Sequence, residues 1–168
     1  VEYAVKQAAK KELTTKNYEK AYKDYQPDTT AVVIALDDEE KANSVHDQAT
    51  ADGADFDTIA KDNTTAKKTE YTFNSASTDL PESVMEAAFN QDEGSVSDVI
   101  KVMDTSTYSY KYYIVKTTKK TEKDSNWKTY KKELKKIIMA QYQNDTNFQN
   151  QVIADTLEKA NVKIKDNS

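Results

Sequence analysis

The residue types that most often carry out chemistry are sparse in this sequence. His46 is the single histidine among 168 residues and cysteine is absent, which excludes a thiol nucleophile and a histidine-rich metal cluster. The acidic run 37–40 stands where a predicted helix begins, and acids there favour capping and the helix dipole. Asp52, Asp55 and Asp57 lack the glycine and glutamate positions of a calcium loop. The sequence therefore predicts no metal site and no cofactor.

A cluster of tyrosines is the other feature that could contact a ligand. Tyr108, Tyr110, Tyr112 and Tyr113 fall within six positions, in a segment that reads as a strand. Alternation along a strand sends some of these rings inward and leaves others at the surface. Ordinary strand packing is the favoured interpretation, and a peptide-contacting patch is the alternative.

The positive charge of the chain is carried by lysine alone. All 24 basic residues are lysines against 29 acids, so the net charge is −5 and no guanidinium group is present. A chain of this kind is not expected to bind nucleic acid. No run of about eighteen apolar residues occurs, so neither a membrane span nor a signal peptide is predicted. We expect Val1 to be a boundary within a longer protein.

Four short strands are expected to organise any site. The run TTAVVIAL, from Thr29 to Leu36, is rich in β-branched residues and predicts a buried strand. Further strands are predicted at residues 70–73, 96–102 and 110–116. Helices begin near Asp37 or Asp38, at Asp55 and at Pro81, between successive strands. This order predicts an α+β domain.

Helical segments flank that domain on both sides. Two short helices are predicted within residues 1–26, and a strong helical spacing runs from Trp127 to Tyr142. Short helices cannot bury an apolar face alone, so we expect residues 1–26 to pack with residues 120–168 as a second lobe. The predicted α+β domain, residues 27–119, is then an insertion between the two parts of that lobe.

The central segment resembles a parvulin-type peptidyl-prolyl isomerase domain, which has an FKBP-like fold. The matching stretches are EEKANSVHDQATADGADFDTIAKD, YTFNSASTDLPESVMEAAF, EGSVSDVI and YYIVK. With the tail from WKTYKKEL to VKIKD, nearly the whole chain is similar to the PrsA-like extracytoplasmic foldases of Gram-positive bacteria. Within that family, it resembles the streptococcal and lactococcal proteinase-maturation type.

The resemblance also shows that the isomerase positions are substituted. Active parvulins carry a histidine in the first strand and another in the last, where this chain has Val33 and Tyr113. The family's acidic residue corresponds, to within about one position, to Glu70 in KKTEY. Valine cannot form the hydrogen bonds of an imidazole, and a phenol with a pKa near 10 is a poor substitute at neutral pH.

The resemblance further implies where a proline would bind. Leu80 and Val84 stand where the family places a methionine and a phenylalanine, and Phe73 and Phe89 agree with family positions. A slot of this kind could grip a proline ring without stabilising the twisted amide. The predicted substrate-binding residues are Leu80, Val84, Phe73, Phe89, Tyr112 and Tyr113.

Three functions remain open from the sequence. The leading hypothesis is a chaperone-like foldase in which the helical lobe supplies an apolar cradle and isomerisation is weak or absent. The first alternative is a working isomerase in which Glu70 and Tyr113 replace the usual network. The second is a surface interaction module with no client proteins.

The resemblance implies partners and a location as well. The expected partners are unfolded or partly folded secreted proteins, with exported proteases as one candidate class, and a homodimer is left open. The family implies a protein held on the outer side of the cell membrane by a lipid anchor, with anchor and signal peptide lying before Val1.

Overall fold

The run TTAVVIAL forms strand β1 (Thr29–Leu36), in which every residue except Thr30 is buried. A strand with apolar side chains on both faces must be covered on both sides, so it takes an interior place in a sheet. In this computed structural model, which describes residues 1–166 and the side chains of residues 1–160, β1 has a partner strand on each edge.

Three further strands complete an antiparallel sheet. They are β2 (Glu70–Phe73), β3 (Ile100–Asp104) and β4 (Ser109–Lys120). The strand order is β2-β1-β4-β3, so β2 and β3 form the edges. The mixture of this sheet with helices confirms the predicted α+β class.

The sheet has two faces with different covers. Helices α3 (Glu39–Ala49) and α4 (Phe56–Asn63) pack on one face, called here the α3/α4 face, and α5 (Glu82–Asn90) packs on the other, the α5 face. The main strand residues of the α3/α4 face are Val32, Ile34, Leu36, Tyr112 and Ile114. Those of the α5 face are Ala31, Val33, Phe73 and Val115.

Two of the helices begin at the predicted aspartates. The Asp38 carboxylate accepts a hydrogen bond from the backbone N–H of Lys41 at 2.9 Å, and Asp55 accepts one from Thr58 at 3.2 Å. Each bond satisfies an amide that the first helical turn leaves without a partner. The predicted capping role of the acids at these helix starts is confirmed.

The terminal segments are helical. They comprise α1 (Glu2–Lys10) and α2 (Thr15–Asp24), then a 3₁₀ turn (Trp127–Tyr130), α6 (Lys131–Gln143) and α7 (Thr146–Asp166). Tyr18 stacks on Trp127 with ring centroids 4.9 Å apart. Leu134 and Ile138 of α6 are buried in the same core.

The chain divides into two compact units. Residues 26–123 form the sheet unit, and residues 1–25 with the described residues from 124 onward form the helical unit. No helix in the described part of the chain is both long and apolar enough to cross a membrane.

Two local expectations differ from the structure. The strand predicted at 96–102 begins only at Ile100, because residues before it approach β4 through separate hydrogen bonds rather than a continuous ladder. Ser97 exchanges bonds with Val115: its N–H donates to the Val115 carbonyl at 2.8 Å, and its hydroxyl accepts from the Val115 N–H at 3.0 Å. Pro81 lies at the N-cap, just before α5, rather than within its first turn.

Candidate functional site

Val33 and Tyr113, the two residues predicted to stand at the histidine positions of the family, lie on the same face of the sheet. In the antiparallel pairing of β1 with β4, Val33 lies opposite Val115 and Ala35 lies opposite Tyr113. The alternation of side chains places both residues on the α5 face. Val33 is only 2% exposed, whereas Tyr113 is half-buried and reaches the surface. Val33 therefore contributes buried methyl groups, and Tyr113 contributes an accessible phenol.

The predicted proline slot is largely filled by its own side chains. Phe73, Val84 and Leu80 are 1%, 0% and 8% exposed, so they belong to the core under α5. Phe73 packs against Phe89 with ring centroids 5.4 Å apart, and Phe89 is half-buried. A ligand can reach Phe89 without rearrangement, but it could contact Phe73 or Val84 only if α5 moved.

Three further residues supply most of the accessible surface beside Tyr113. Tyr71, Ile100 and Val102 are half-buried and pack against the α5-face core. Tyr71 lies opposite Ala31 in the ladder, and Ile100 lies directly opposite Tyr113. Neither motif nor composition singles them out, although alternation within EYTF and IKVMD places them on this side once the register is known.

The phenols on the α5 face are held in their neutral form. Burial raises the pKa of Tyr113 above its usual value of 10.0, and the nearby Asp104, Tyr71 and Asp37 raise it further. Burial, followed by the Asp79 carboxylate, raises the pKa of Tyr71. Both hydroxyls can therefore donate hydrogen bonds at neutral pH, but neither can serve as a base there.

Glu70 does not share this face. It is exposed and pairs with Val32, so its side chain lies on the side of the sheet opposite to Tyr113. The structure does not bring Glu70 and Tyr113 together, and the network expected for a working isomerase built on both is not assembled. Tyr71, one position later, occupies the α5 face instead.

Tyr112 is likewise separated from the other predicted substrate-binding residues. It belongs to the α3/α4 face, is 7% exposed, and its hydroxyl donates to the Glu39 carboxylate at 3.2 Å. Burial raises its pKa, and the bond to Glu39 adds to that shift. The structure thus groups five of the six predicted residues on one face and Tyr112 on the other.

The single imidazole is used elsewhere in the sheet unit. His46 lies on α3, is half-buried, and has its Nε2 atom 3.1 Å from the carbonyl oxygen of Ser97. Ser97 in turn holds β4 through Val115. His46 therefore stabilises the approach to β3 and does not face the α5 surface.

A buried polar network fixes α5 on the sheet. Thr117 is fully buried, and its hydroxyl donates to the carbonyl of Ala88 in α5 at 2.8 Å. The Gln91 side-chain amide donates to the Thr117 hydroxyl at 3.1 Å and lies 3.0 Å from the carbonyls of Ser95 and Val115. These contacts tie the end of α5 to β4 and so set the depth of the α5 face.

Asp55, one of the acidic residues considered for cation chemistry, is committed to local bonds. The hydroxyl of Thr58 donates to Asp55 at 2.9 Å, and this bond with the Thr58 amide holds the pKa of Asp55 below its usual range. Among the described side chains, no group of three or more acids and histidine is arranged to hold a metal ion.

Comparison with known proteins agrees with this geometry. The family model of the PPIC-type PPIASE (peptidyl-prolyl isomerase) domain matches residues 14–132. Over 166 residues the chain is 60% identical to the foldase protein PrsA of Streptococcus mutans, covering 99% of this chain and 50% of that protein. For the foldase protein PrsA of Streptococcus agalactiae, identity is 58% over 168 residues, with coverages of 99% and 54%. The chain therefore spans about half the length of the curated relatives it matches.

Solved structures show the same relationship. The foldase protein PrsA of Streptococcus pneumoniae superposes with a TM-score of 0.83 at 49% identity, covering 95% of this chain and 60% of that one. The PrsA structure of Lactococcus lactis gives a TM-score of 0.66 at 36% identity, with coverages of 95% and 58%. These findings confirm the predicted resemblance.

Proposed function

The chain belongs to the PPIC-type peptidyl-prolyl isomerase domain family, and from that premise we propose that it is part of a foldase for exported proteins. In this proposal it holds unfolded or partly folded segments, including segments with proline, and accelerates isomerisation weakly or not at all. The similarity to PrsA foldases supports the foldase role. The substituted α5 face supports the lack of turnover.

One observation carries the proposal: the α5 face, where the resemblance places the family site, carries no imidazole, because the single histidine of the chain lies on α3. Val33 presents methyl groups where a histidine stands in active members, and His46 is bonded to the Ser97 carbonyl on another part of the domain. Crossing an isomerisation barrier of about 20 kcal/mol requires polar groups that stabilise the twisted amide. Tyr113 supplies a hydroxyl donor that suits binding of a peptide carbonyl, whereas the Tyr71 hydroxyl donates to the Lys68 carbonyl at 3.4 Å.

The helical unit offers a second surface for a non-native chain. An open cavity of about 700 Å³ is lined by residues 1–3, 5 and 6 of α1 and its start, and by residues 143, 144 and 149. Tyr3 at its rim is 77% exposed, and Leu157 on α7 is 61% exposed. Exposed apolar side chains such as Tyr3 and Leu157 favour contact with unfolded segments, and Tyr3 lines the cavity itself.

The location and the clients belong to the same proposal. Resemblance to foldases of Gram-positive bacteria supports a place outside the cell membrane, reached with a lipid anchor. Secreted proteins that have not finished folding, exported proteases among them, are the expected clients.

The catalytic part of the proposal is tested with a proline-containing tetrapeptide. A protease-coupled or NMR exchange assay is expected to give the uncatalysed relaxation time of about 10–100 s at 25 °C. Turnover typical of an active parvulin would overturn the claim of weak or absent isomerisation.

The holding part is tested by refolding a destabilised secreted protein beside the chain. The foldase proposal predicts clear suppression of aggregation at a modest molar excess. Unchanged aggregation, with no peptide binding by NMR, would contradict it and favour a surface interaction module without clients.

A further inference from the structure

The hairpin of β3 and β4 extends beyond the rest of the sheet. β1 ends at Leu36, which lies opposite Tyr112. Residues 109–111 of β4 continue past that point and pair only with residues 102–104 of β3. Because β3 is also an edge strand, this two-stranded ribbon leaves backbone donors and acceptors open to another extended chain.

Large apolar side chains are exposed on this ribbon. Met103 and Tyr110 lie directly opposite each other and are 45% and 43% exposed, and Tyr108 at the turn is 84% exposed. Register places Lys101, Met103 and Tyr110 on the side of the α3/α4 face, away from Tyr113. We call Lys101, Met103, Tyr108 and Tyr110 the hairpin patch.

Tyr108 occupies a backbone conformation that tyrosine rarely adopts. Its φ is 55°, and it is the one non-glycine residue with positive φ in the described part of the chain. Glycine would take this conformation without steric cost. The turn itself is held by Asp104, whose carbonyl accepts from the Tyr108 N–H at 2.7 Å and whose carboxylate accepts two bonds from Ser106. Since the ring is exposed, it does not offset its backbone cost by packing.

The patch also carries a cation that is free to meet an acid. The Lys101 ammonium lies 4.1 Å from the centre of the Tyr110 ring, and no carboxylate forms a salt bridge with it among the described residues. The only nearby acid on the ribbon, Asp104, is engaged by Ser106 and lies 4.0 Å from the Lys111 ammonium. The four side chains of the patch are therefore apolar, aromatic or cationic, and the Glu39 carboxylate on the same side of the sheet is bonded to the Tyr112 hydroxyl.

We propose that the hairpin patch and the outer edge of β3 bind an extended apolar segment of a non-native polypeptide that carries an acidic residue. The segment pairs with β3 as an added strand, its apolar side chains contact Met103 and Tyr110, and its carboxylate meets Lys101. This inference rests on the proposed function, since it assumes that non-native chains are the ligands. It adds a site that needs no proline and lies away from the α5 face.

A charge exchange provides the first test. The probe is a fluorescein-labelled ten-residue peptide of alternating valine and threonine with one tyrosine, glutamate at both ends and no proline. In anisotropy titrations of the full chain at low salt, Lys101→Glu is expected to weaken binding about threefold to fivefold. A lysine-ended version of the peptide should bind more tightly to Lys101→Glu than to the wild type.

Lys61→Glu, at an exposed lysine on α4, is the matched control and should leave both affinities unchanged. Equal affinities in all variants would overturn the proposal.

Two substitutions of Tyr108 separate its binding role from its backbone cost. Tyr108→Gly and Tyr108→Ala both remove the ring and should lower the affinity for the glutamate-ended peptide to the same extent. Only Tyr108→Gly relieves the positive φ, so it alone should raise Tm, by about 2–4 °C. A higher Tm for Tyr108→Gly with unchanged peptide affinity would show that the ring does not serve this ligand.

The triple variant K101E/Y108G/Y110S distinguishes this inference from the proposed function. If the wild-type chain suppresses aggregation and binds the peptide while the triple variant does both equally well, the hairpin site is wrong and the foldase proposal stands. If the wild-type chain does neither, both fail. The expected result is that the triple variant loses binding of the proline-free peptide and retains binding of a proline-containing one.

Discussion

The two faces of the sheet differ in what they leave accessible. On the α3/α4 face Ile34 and Ile114 are completely buried, and the polar group of Tyr112 is paired with Glu39. On the α5 face the core is equally dry at Val84, but half-buried rings and aliphatic side chains remain at its border, with Tyr113 among them. Under α3 and α4 the first face is closed, and the hairpin patch lies beyond that cover; the second face keeps a surface beside α5 that a peptide can reach.

Because of this difference, the residues that determine stability and those that can bind a ligand are largely different residues of the same small domain. Residues buried under α3 and α4 can be expected to affect folding alone, whereas residues at the border of the α5 face can change ligand contact at little cost in stability. Val33 takes part in the core of the α5 face and adds no polar group to its border, where the accessible hydroxyl belongs to Tyr113.

The largest difference in the free energy of unfolding is expected between substitutions of two isoleucines. Ile114→Ala removes a fully buried side chain from the closed face and should lower the free energy of unfolding by about 2–5 kcal/mol. Ile100→Ala, at a half-buried site on the α5 face, should cost about 1 kcal/mol. Urea denaturation of both variants measures the difference, and equal losses would show that the two faces are not distinguished by packing.

A second contrast concerns the bond that fixes α5. Thr117→Val keeps the side-chain volume but removes the hydroxyl that donates to the buried Ala88 carbonyl and accepts from the Gln91 amide, which keeps its contacts with the Ser95 and Val115 carbonyls. The expected loss is about 1–3 kcal/mol in the free energy of unfolding. Thr118→Val is the control, because its exposed hydroxyl can be replaced by water, and its cost should stay below about 0.5 kcal/mol. Similar losses at both positions would argue against a special role for Thr117.

Much of this architecture could be predicted from the sequence, because local signals agree with the fold. β1 and β2 begin and end at the predicted residues, since a β-branched run is bounded by Pro27 and Asp37 and a short EYTF run follows a polar loop. The helix caps at Asp38 and Asp55 follow from residue type alone.

The assignment of side chains to faces could not be predicted in the same way. A shift of one residue in register moves a side chain to the other face, and this decides between Glu70 and Tyr71 and between Tyr112 and Tyr113. The burial of Val84 depends on the depth at which α5 docks, which is set by Thr117 through long-range bonds. No local pattern encodes that depth.

A smaller difference, in peptide affinity, is expected between substitutions of Tyr113 and Tyr112. Tyr113→Phe removes the accessible hydroxyl of the α5 face. It should lower the affinity for a proline-containing unfolded peptide by about twofold to tenfold, which corresponds to the loss of one hydrogen bond. Tyr112→Phe should leave that affinity unchanged, because its hydroxyl is paired with Glu39 on the opposite face. NMR shift mapping with both variants is the measurement, and a larger loss for Tyr112→Phe would reverse the assignment of the binding face.

The smallest expected effect is a dependence of stability on alkaline pH. The pKa values of Tyr71, Tyr112 and Tyr113 are raised in the folded state above the usual 10.0. Above pH 10 the unfolded chain therefore loses these protons first, so stability is fully present below that pH and falls as pH rises through the folded pKa values. Urea midpoints measured from pH 8 to 11 should decline more gently for Tyr113→Phe than for the wild type. Identical declines for Tyr113→Phe and the wild type would show that the α5 face does not hold this phenol in its neutral form.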